Sequence, residues 1–165
     1  MRAAAVFLAA FALAGCGLRP LYGDGAASPV AATLRAVQVG PIEGQAGWLV
    51  RTKLMDRLGA AGEASPAYRL DIVLDDDITA FGIRRDRAAT RERRTLRARY
   101  QLVSIATGQV VLDATAGSDA GIDIVGSEYA TVAAEQTALE HLAEILADQV
   151  VARVGLYAAR TGAPQ

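Results

Sequence analysis

The alternation of apolar and polar residues along the chain predicts four strands and two helices. Tyr68, Leu70 and Ile72 are separated by polar residues, as expected of a strand with one buried face. Val50, Leu54 and Leu58 recur every four residues instead, which is the spacing of an apolar stripe on a helix. Applied to the rest of the chain, these patterns predict strands at 35–39, 68–75, 93–105 and 109–116, and helices at 44–58 and 127–157.

The order β-α-β-β-β-α predicts a two-layer α+β sandwich. A right-handed crossover through the first helix makes the first two strands parallel, so we expect a mixed sheet. Thr107 and Gly108 are turn residues and predict an antiparallel hairpin of the last two strands. Each helix has one apolar face. We therefore expect two helices packed on one face of a four-stranded sheet, with the opposite face polar and open to solvent.

Residues 1–15 have the pattern of a lipoprotein signal peptide. Arg2 precedes an apolar run at 3–13 that is too short to cross a bilayer. The run leads into Leu-Ala-Gly before Cys16, which resembles a bacterial lipobox, where the cysteine receives S-diacylglycerol and N-acyl chains such as palmitate. We expect cleavage before Cys16 and stable anchoring there, because several acyl chains hold a protein firmly. The alternative is an ordinary secretory signal followed by a free thiol.

Three segments follow the signal peptide in the predicted domain organisation. Residues 16–34 are rich in Gly, Ala, Pro and Ser and predict a lipidated tether, 35–157 form the sandwich domain, and 158–165 a disordered tail. Gly17 follows the cysteine at the position where lipoproteins retained in the inner membrane often have Asp. By this resemblance, we expect the periplasmic face of the outer membrane as the location.

Eight arginines and no lysine lie between residues 84 and 99. The segment has a net charge of +6, whereas the rest of the chain after the signal peptide has −8. Because Arg binds phosphate through paired hydrogen bonds, the cluster predicts an anionic partner. In an exported protein, that partner is lipid phosphate, lipopolysaccharide or an acidic protein loop rather than nucleic acid. The candidates are Arg84, Arg85, Arg87, Arg91, Arg93, Arg94, Arg97 and Arg99.

A structural alternative exists for the last two of these arginines. Arg97 and Arg99 lie in a predicted strand, where they would form cross-strand ion pairs with Asp71 and Asp75 on a solvated sheet face.

The sequence has no recognisable catalytic or metal site. Asp75, Asp76 and Asp77 lack the glycine and terminal glutamate of a calcium loop. His141 is the only histidine and has no cysteine partner for zinc or nucleophile partner for hydrolysis. We therefore expect a binding protein rather than an enzyme, with no metal and no cofactor beyond the lipid on Cys16.

Residues 16–23 have the sequence Cys-Gly-Leu-Arg-Pro-Leu-Tyr-Gly. This run resembles the opening of the lipopolysaccharide-assembly lipoprotein family LptE in its compact alphaproteobacterial form, with Leu18 where an aromatic residue is commoner. Further similarities lie at 68–72 for its second strand, 98–102 and 107–110 for its hairpin, and 127–130 and 146–150 for its C-terminal helix.

This resemblance implies a function in outer-membrane assembly. LptE proteins form a one-to-one complex with the β-barrel LptD, sit as a plug inside its lumen, assist its assembly, and help deliver lipopolysaccharide, which they bind, to the outer leaflet. We expect an LptD-like barrel and lipopolysaccharide as partners, with the arginines at 84–99 on lipid A phosphates or acidic core sugars. The alternatives are an accessory lipoprotein of a lipid-transporting ABC system and an outer-membrane scaffold that does not bind lipopolysaccharide.

Overall fold

The protein is a four-stranded mixed sheet covered on one face by helices. The computed structural model describes residues 28–59, 65–83, 89–124 and 127–161. Its elements in chain order are α1 (Pro29–Arg35), β1 (Val37–Val39), α2 (Gly44–Leu58), β2 (Tyr68–Ile83), β3 (Ala89–Ser104), β4 (Val110–Asp123) and α3 (Glu128–Thr161).

The strand order in the sheet is β1-β2-β3-β4. β1 is parallel to β2, and the other two pairs are antiparallel. Both the parallel pair and the predicted hairpin are therefore confirmed, as is the two-layer α+β class. β1 and β2 are parallel because α2 returns the chain to the end of the sheet at which β1 began, as a parallel strand requires.

The two long helices run side by side in the same direction. The amide of Gln45 near the start of α2 donates to that of Gln136 on α3 at 2.9 Å, and Arg57 near the end of α2 contacts Glu144 at 3.1 Å. α2 begins and ends at the predicted residues, and Gly59 ends it in the left-handed conformation at φ +64°. The apolar stripe predicted for α3 is buried throughout and consists of Leu139, Leu142, Leu146, Val150 and Val154.

β2 and β3 form a second hairpin, and both strands are longer than the sequence pattern predicts. β2 and β3 each have 16 residues and pair as far as Ile83 opposite Ala89, so most of the stretch at 76–90 is strand rather than a polar connection. β4 likewise continues past the predicted end to Asp123. The alternation fails at Asp76 because this helix-facing position is filled by an ion pair with Arg94 instead of an apolar side chain.

Both ends of the domain also extend beyond the predicted bounds. Residues 28–34 are not a tether. Ser28 caps α1 by accepting from the N–H of Ala31 at 3.0 Å, and Val30 and Leu34 are buried. Seven residues are too few to show helical periodicity in a Gly- and Ala-rich segment, so α1 was not predictable. At the other end, α3 reaches Thr161, so the predicted tail at 158–161 is helical, while 1–27 and 162–165 lie outside the described residues.

Gly47 provides a test of the close approach between α2 and the turn before it. A Cβ at this position would lie 2.6 Å from the carbonyl oxygen of Ile42, so backbone atoms would have to move. Helix propensity alone favours Ala over Gly by about 1 kcal/mol, but overpacking costs about 1–3 kcal/mol. We expect Gly47→Ala to lower the midpoint of urea unfolding.

The matched control is Gly121→Ala in β4, where the added Cβ has no atom within 4 Å. We expect this variant to unfold close to the midpoint of the unchanged protein. A Gly47→Ala variant that is more stable than the unchanged protein would contradict the close contact of Gly47 with Ile42.

Candidate functional site

The described arginines of β3 lie on two faces of the sheet. Successive side chains of a strand point to opposite sides. The helix-facing row of β3 includes the buried residues Leu96 and Leu102 and also Arg94. The solvent-facing row holds Arg91, Arg93, Arg97 and Arg99. Arg84, Arg85 and Arg87 belong to 84–88, which connects β2 to β3 and lies outside the described residues.

Acidic residues of β4 neutralise three of the solvent-facing arginines. This set, here called the β3–β4 ion pairs, consists of Arg91 with Asp123 at 2.8 Å, Arg93 with Asp119 at 3.8 Å and Arg99 with Asp113 at 3.0 Å. Within the described part of β3, the charge that is segregated along the sequence is therefore largely balanced in space.

Asp113 shows how closely one of these pairs is bonded. Arg99 donates to both of its carboxylate oxygens, and Gln101 donates to Oδ2 at 2.8 Å. These hydrogen bonds, first that of Arg99 and then that of Gln101, lower the pKa of Asp113 from its ordinary value. The carboxylate remains ionised, and Arg99 is already occupied.

The ion pairs differ from the alternative predicted from sequence. Arg99 lies opposite Val73 and pairs with β4, while Asp71 pairs with Arg69 of its own strand at 2.8 Å. Arg97 does lie opposite Asp75 in the register, but in the described part of the chain no carboxylate is in ion-pair contact with it.

Arg94 has a structural role instead. It forms two hydrogen bonds to the carboxylate of Asp76, at 2.8 and 2.7 Å, and donates a third to the backbone carbonyl of Glu135 on α3. Its side chain is only 11% exposed. One guanidinium therefore joins β2, β3 and α3, and little of it is accessible to a ligand.

Glu92 points to the same side of the sheet as Arg94. Its Oε2 atom is buried and has no hydrogen-bond partner among the described residues. Burial raises the pKa of Glu92, and the neighbouring carboxylate of Glu135 raises it further. The sheet beneath the first turns of α3 thus contains buried polar groups, unlike the apolar core farther along.

The alternation pattern of the sequence did not predict the acidic partners on β4. Asp113, Asp119 and Asp123 all have odd numbers, so on a continuous strand they share one face. That regularity was a usable signal, but it required β4 to extend to residue 123 and a known register with β3.

The structure gives no support to a metal site in the described ranges. No group of His, Asp and Glu residues there converges on a common point. Asp75 and Asp77 point away from the helices, whereas Asp76 points toward them, so the acidic run does not form a cluster. No helix among the described residues has the length and apolar character needed to cross a membrane.

Arg94 and the exposed arginines of the β3–β4 ion pairs should differ in their contribution to the free energy of unfolding. Arg94→Ala removes the cation from Asp76 and should lower the free energy of unfolding by about 2 kcal/mol, less than for a fully buried pair because Asp76 is still 25% exposed. Arg99→Ala breaks a solvent-exposed pair and should leave the free energy of unfolding nearly unchanged. Urea unfolding of both variants measures the difference, and equal losses would contradict the assignment of Arg94 as a structural residue.

Similar folds occur in lipoproteins of solved structure. A candidate lipoprotein of Caulobacter crescentus CB15 is 23% identical, with a TM-score of 0.67 over 79% of this chain and 96% of that one. A minor lipoprotein of Acinetobacter baumannii is 12% identical, with a TM-score of 0.59 over 73% and 90%. The rare lipoprotein B of Shewanella oneidensis is 10% identical, with a TM-score of 0.52 over 76% and 95%. At these identities the likeness concerns the fold.

The sequence itself matches a family model. Among curated proteins, none matches the chain in sequence. The model for LptE, lipopolysaccharide-assembly, however, matches residues 34–154, a range that begins in α1 and ends near the end of α3. Because this match covers most of the chain, the protein belongs to the LptE family of lipopolysaccharide-assembly lipoproteins.

Proposed function

We propose that the protein is a lipid-anchored plug of the outer-membrane barrel LptD. In this proposal the signal peptide at 1–15 is removed, lipid on Cys16 holds the chain at the periplasmic face of the outer membrane, and the domain assists barrel assembly and lipopolysaccharide insertion into the outer leaflet. Membership of the LptE family supports a function in lipopolysaccharide assembly. The observation that carries the proposal is the length of the domain.

The domain is long enough to extend through the thickness of a membrane. β2 and β3 have 16 residues each, which at about 3.3 Å per residue gives roughly 50 Å. A bilayer including its headgroups is about 40–45 Å thick. A plug of this length, inside a barrel, can therefore have one end at each membrane surface.

The two ends of the domain differ in chemistry. The chain enters through α1, and the carbonyl of Ala36 just after α1 accepts from the N–H of Tyr68 at the start of β2. The connection at 84–88 leaves β2 at its other end. The described chain thus begins near one end of the β2–β3 hairpin, and the arginine-rich connection follows β2 at the other end. This arrangement supports an anchor at one end of the domain and contact with lipopolysaccharide at the other.

The ion pairs narrow the set of arginines proposed to bind lipopolysaccharide. Arg91, Arg93 and Arg99 already have carboxylate partners, and Arg94 is mostly buried. We therefore assign the phosphate contacts chiefly to Arg84, Arg85 and Arg87. Arg97 is a fourth candidate because it has no ion-pair partner among the described residues.

Changing Arg84, Arg85 and Arg87 to Ala should weaken binding of purified protein to lipopolysaccharide and reduce its salt dependence, because charge-assisted bonds to phosphate are lost. The matched control changes the same number of arginines within the β3–β4 ion pairs, namely Arg91, Arg93 and Arg99, to Ala. We expect a smaller loss of lipopolysaccharide affinity in this control. Unchanged affinity in the first variant would contradict the assignment.

Co-purification tests the partner. A tagged, detergent-solubilised chain should recover the LptD barrel in roughly equal amount, identified by mass. Recovery of an inner-membrane transporter would favour an accessory protein of lipid transport. Recovery of no partner would contradict the plug proposal.

A further inference from the structure

We infer that the open edge of β2 at residues 72–80 pairs with an extended, basic segment of the barrel partner. This inference rests on the proposed function and adds to it the surface and the kind of segment that meet. We call this part of the strand the β2 open edge.

Every second residue of the β2 open edge directs its backbone N–H and C=O away from β3. Tyr68 N–H and Leu70 C=O bond to the β1 side, at 3.1 and 3.0 Å. Backbone groups of every second residue in a strand point the same way. β1 ends opposite Leu70, so the groups beyond it meet no strand. No partner in the described part of the chain bonds to the edge-facing N–H and C=O groups of Ile72, Leu74, Asp76, Ile78 and Ala80.

The other edge of the sheet is obstructed near its middle. The side-chain amide of Gln149 on α3 accepts from Gly117 N–H at 3.1 Å and donates to Gly117 C=O at 3.4 Å. It thereby occupies one of the positions that a further strand beside β4 would use. No side chain of the described residues bonds to the β2 open edge in this way, so continuous pairing with an added strand is easier on the β2 side.

Apolar side chains near the β2 open edge are unusually exposed. Val73 is 74%, Ile78 40% and Phe81 38% exposed. Val73 and Phe81 are on the solvent-facing side of the sheet, and Ile78 is on the helix side. A strand added beside β2 would shield apolar groups on both faces, which a ligand on one face would not.

The negative charge beside the β2 open edge favours a basic partner segment. Asp75 and Asp77 point to the solvent-facing side, and no cation among the described residues is in ion-pair contact with either. A neighbouring strand with Arg or Lys opposite Asp75 and Asp77 would form ion pairs with them, of the same kind as the β3–β4 ion pairs. A second copy of this chain would bring acidic edges together, and such charges protect an edge against self-association.

Proline at position 78 gives a selective test. Its N–H is directed to the open side, so Ile78→Pro removes an edge donor without removing a bond to β3. The control is Ile78→Thr, which keeps the N–H and suits a strand. With the full-length tagged chain, we expect barrel recovery to fall about tenfold for Ile78→Pro relative to Ile78→Thr, as expected for the loss of one or two strand hydrogen bonds.

A second variant leaves the backbone of β2 intact in case the proline variant does not fold. The double change Asp75→Lys and Asp77→Lys should also reduce barrel recovery, whereas Asp119→Lys on β4 should not. Equal recovery by Ile78→Pro and Ile78→Thr, or by the double lysine variant and the unchanged chain, would overturn this inference alone. Failure of the unchanged chain to recover any barrel would overturn the proposed function and the inference with it, and a dimer of this chain formed through β2 would also overturn the inference.

Discussion

The continuous pairing of β2 with β3 is the constraint on which the rest of the structure depends. Because the side-chain period of a strand is two, a single register decides the face of every residue over 16 positions. A slip of one residue would place Arg97 and Arg99 in the apolar core and Leu96 in solvent. The helix layer, the β3–β4 ion pairs and the β2 open edge all follow from this one alignment.

The apolar core supports only part of that register, and a polar group supports the rest. Leu70, Leu96 and Leu102 hold the sheet against the helices. Beyond them, Arg94 with Asp76 takes the place of apolar contacts and ties the far part of the hairpin to α3. An ion pair has stricter geometry than a contact between leucines, so it fixes the alignment where the hairpin leaves the core.

Much of the fold was predictable because its signals are local. The alternation at Tyr68, Leu70 and Ile72 and the stripe on α3 gave the layers and the topology. The distal hairpin was not predictable, because Asp76 has a partner 18 positions away that no local pattern reveals. For the same reason, the sequence showed a basic cluster but not its neutralisation. The eight arginines lie close together along the chain, whereas Asp113, Asp119 and Asp123 meet three of them, Arg91, Arg93 and Arg99, only after β4 pairs with β3.

The contact between Gln149 and Gly117 has a consequence for stoichiometry. A sheet with two open edges can add strands on both sides and grow without limit into fibres. Here, one side-chain amide from α3 bonds to Gly117 in the middle of the last strand, so a strand added beside β4 would have to displace it before pairing could be continuous. Addition is therefore favoured on the β2 side, where one added strand completes the sheet and the assembly stays finite.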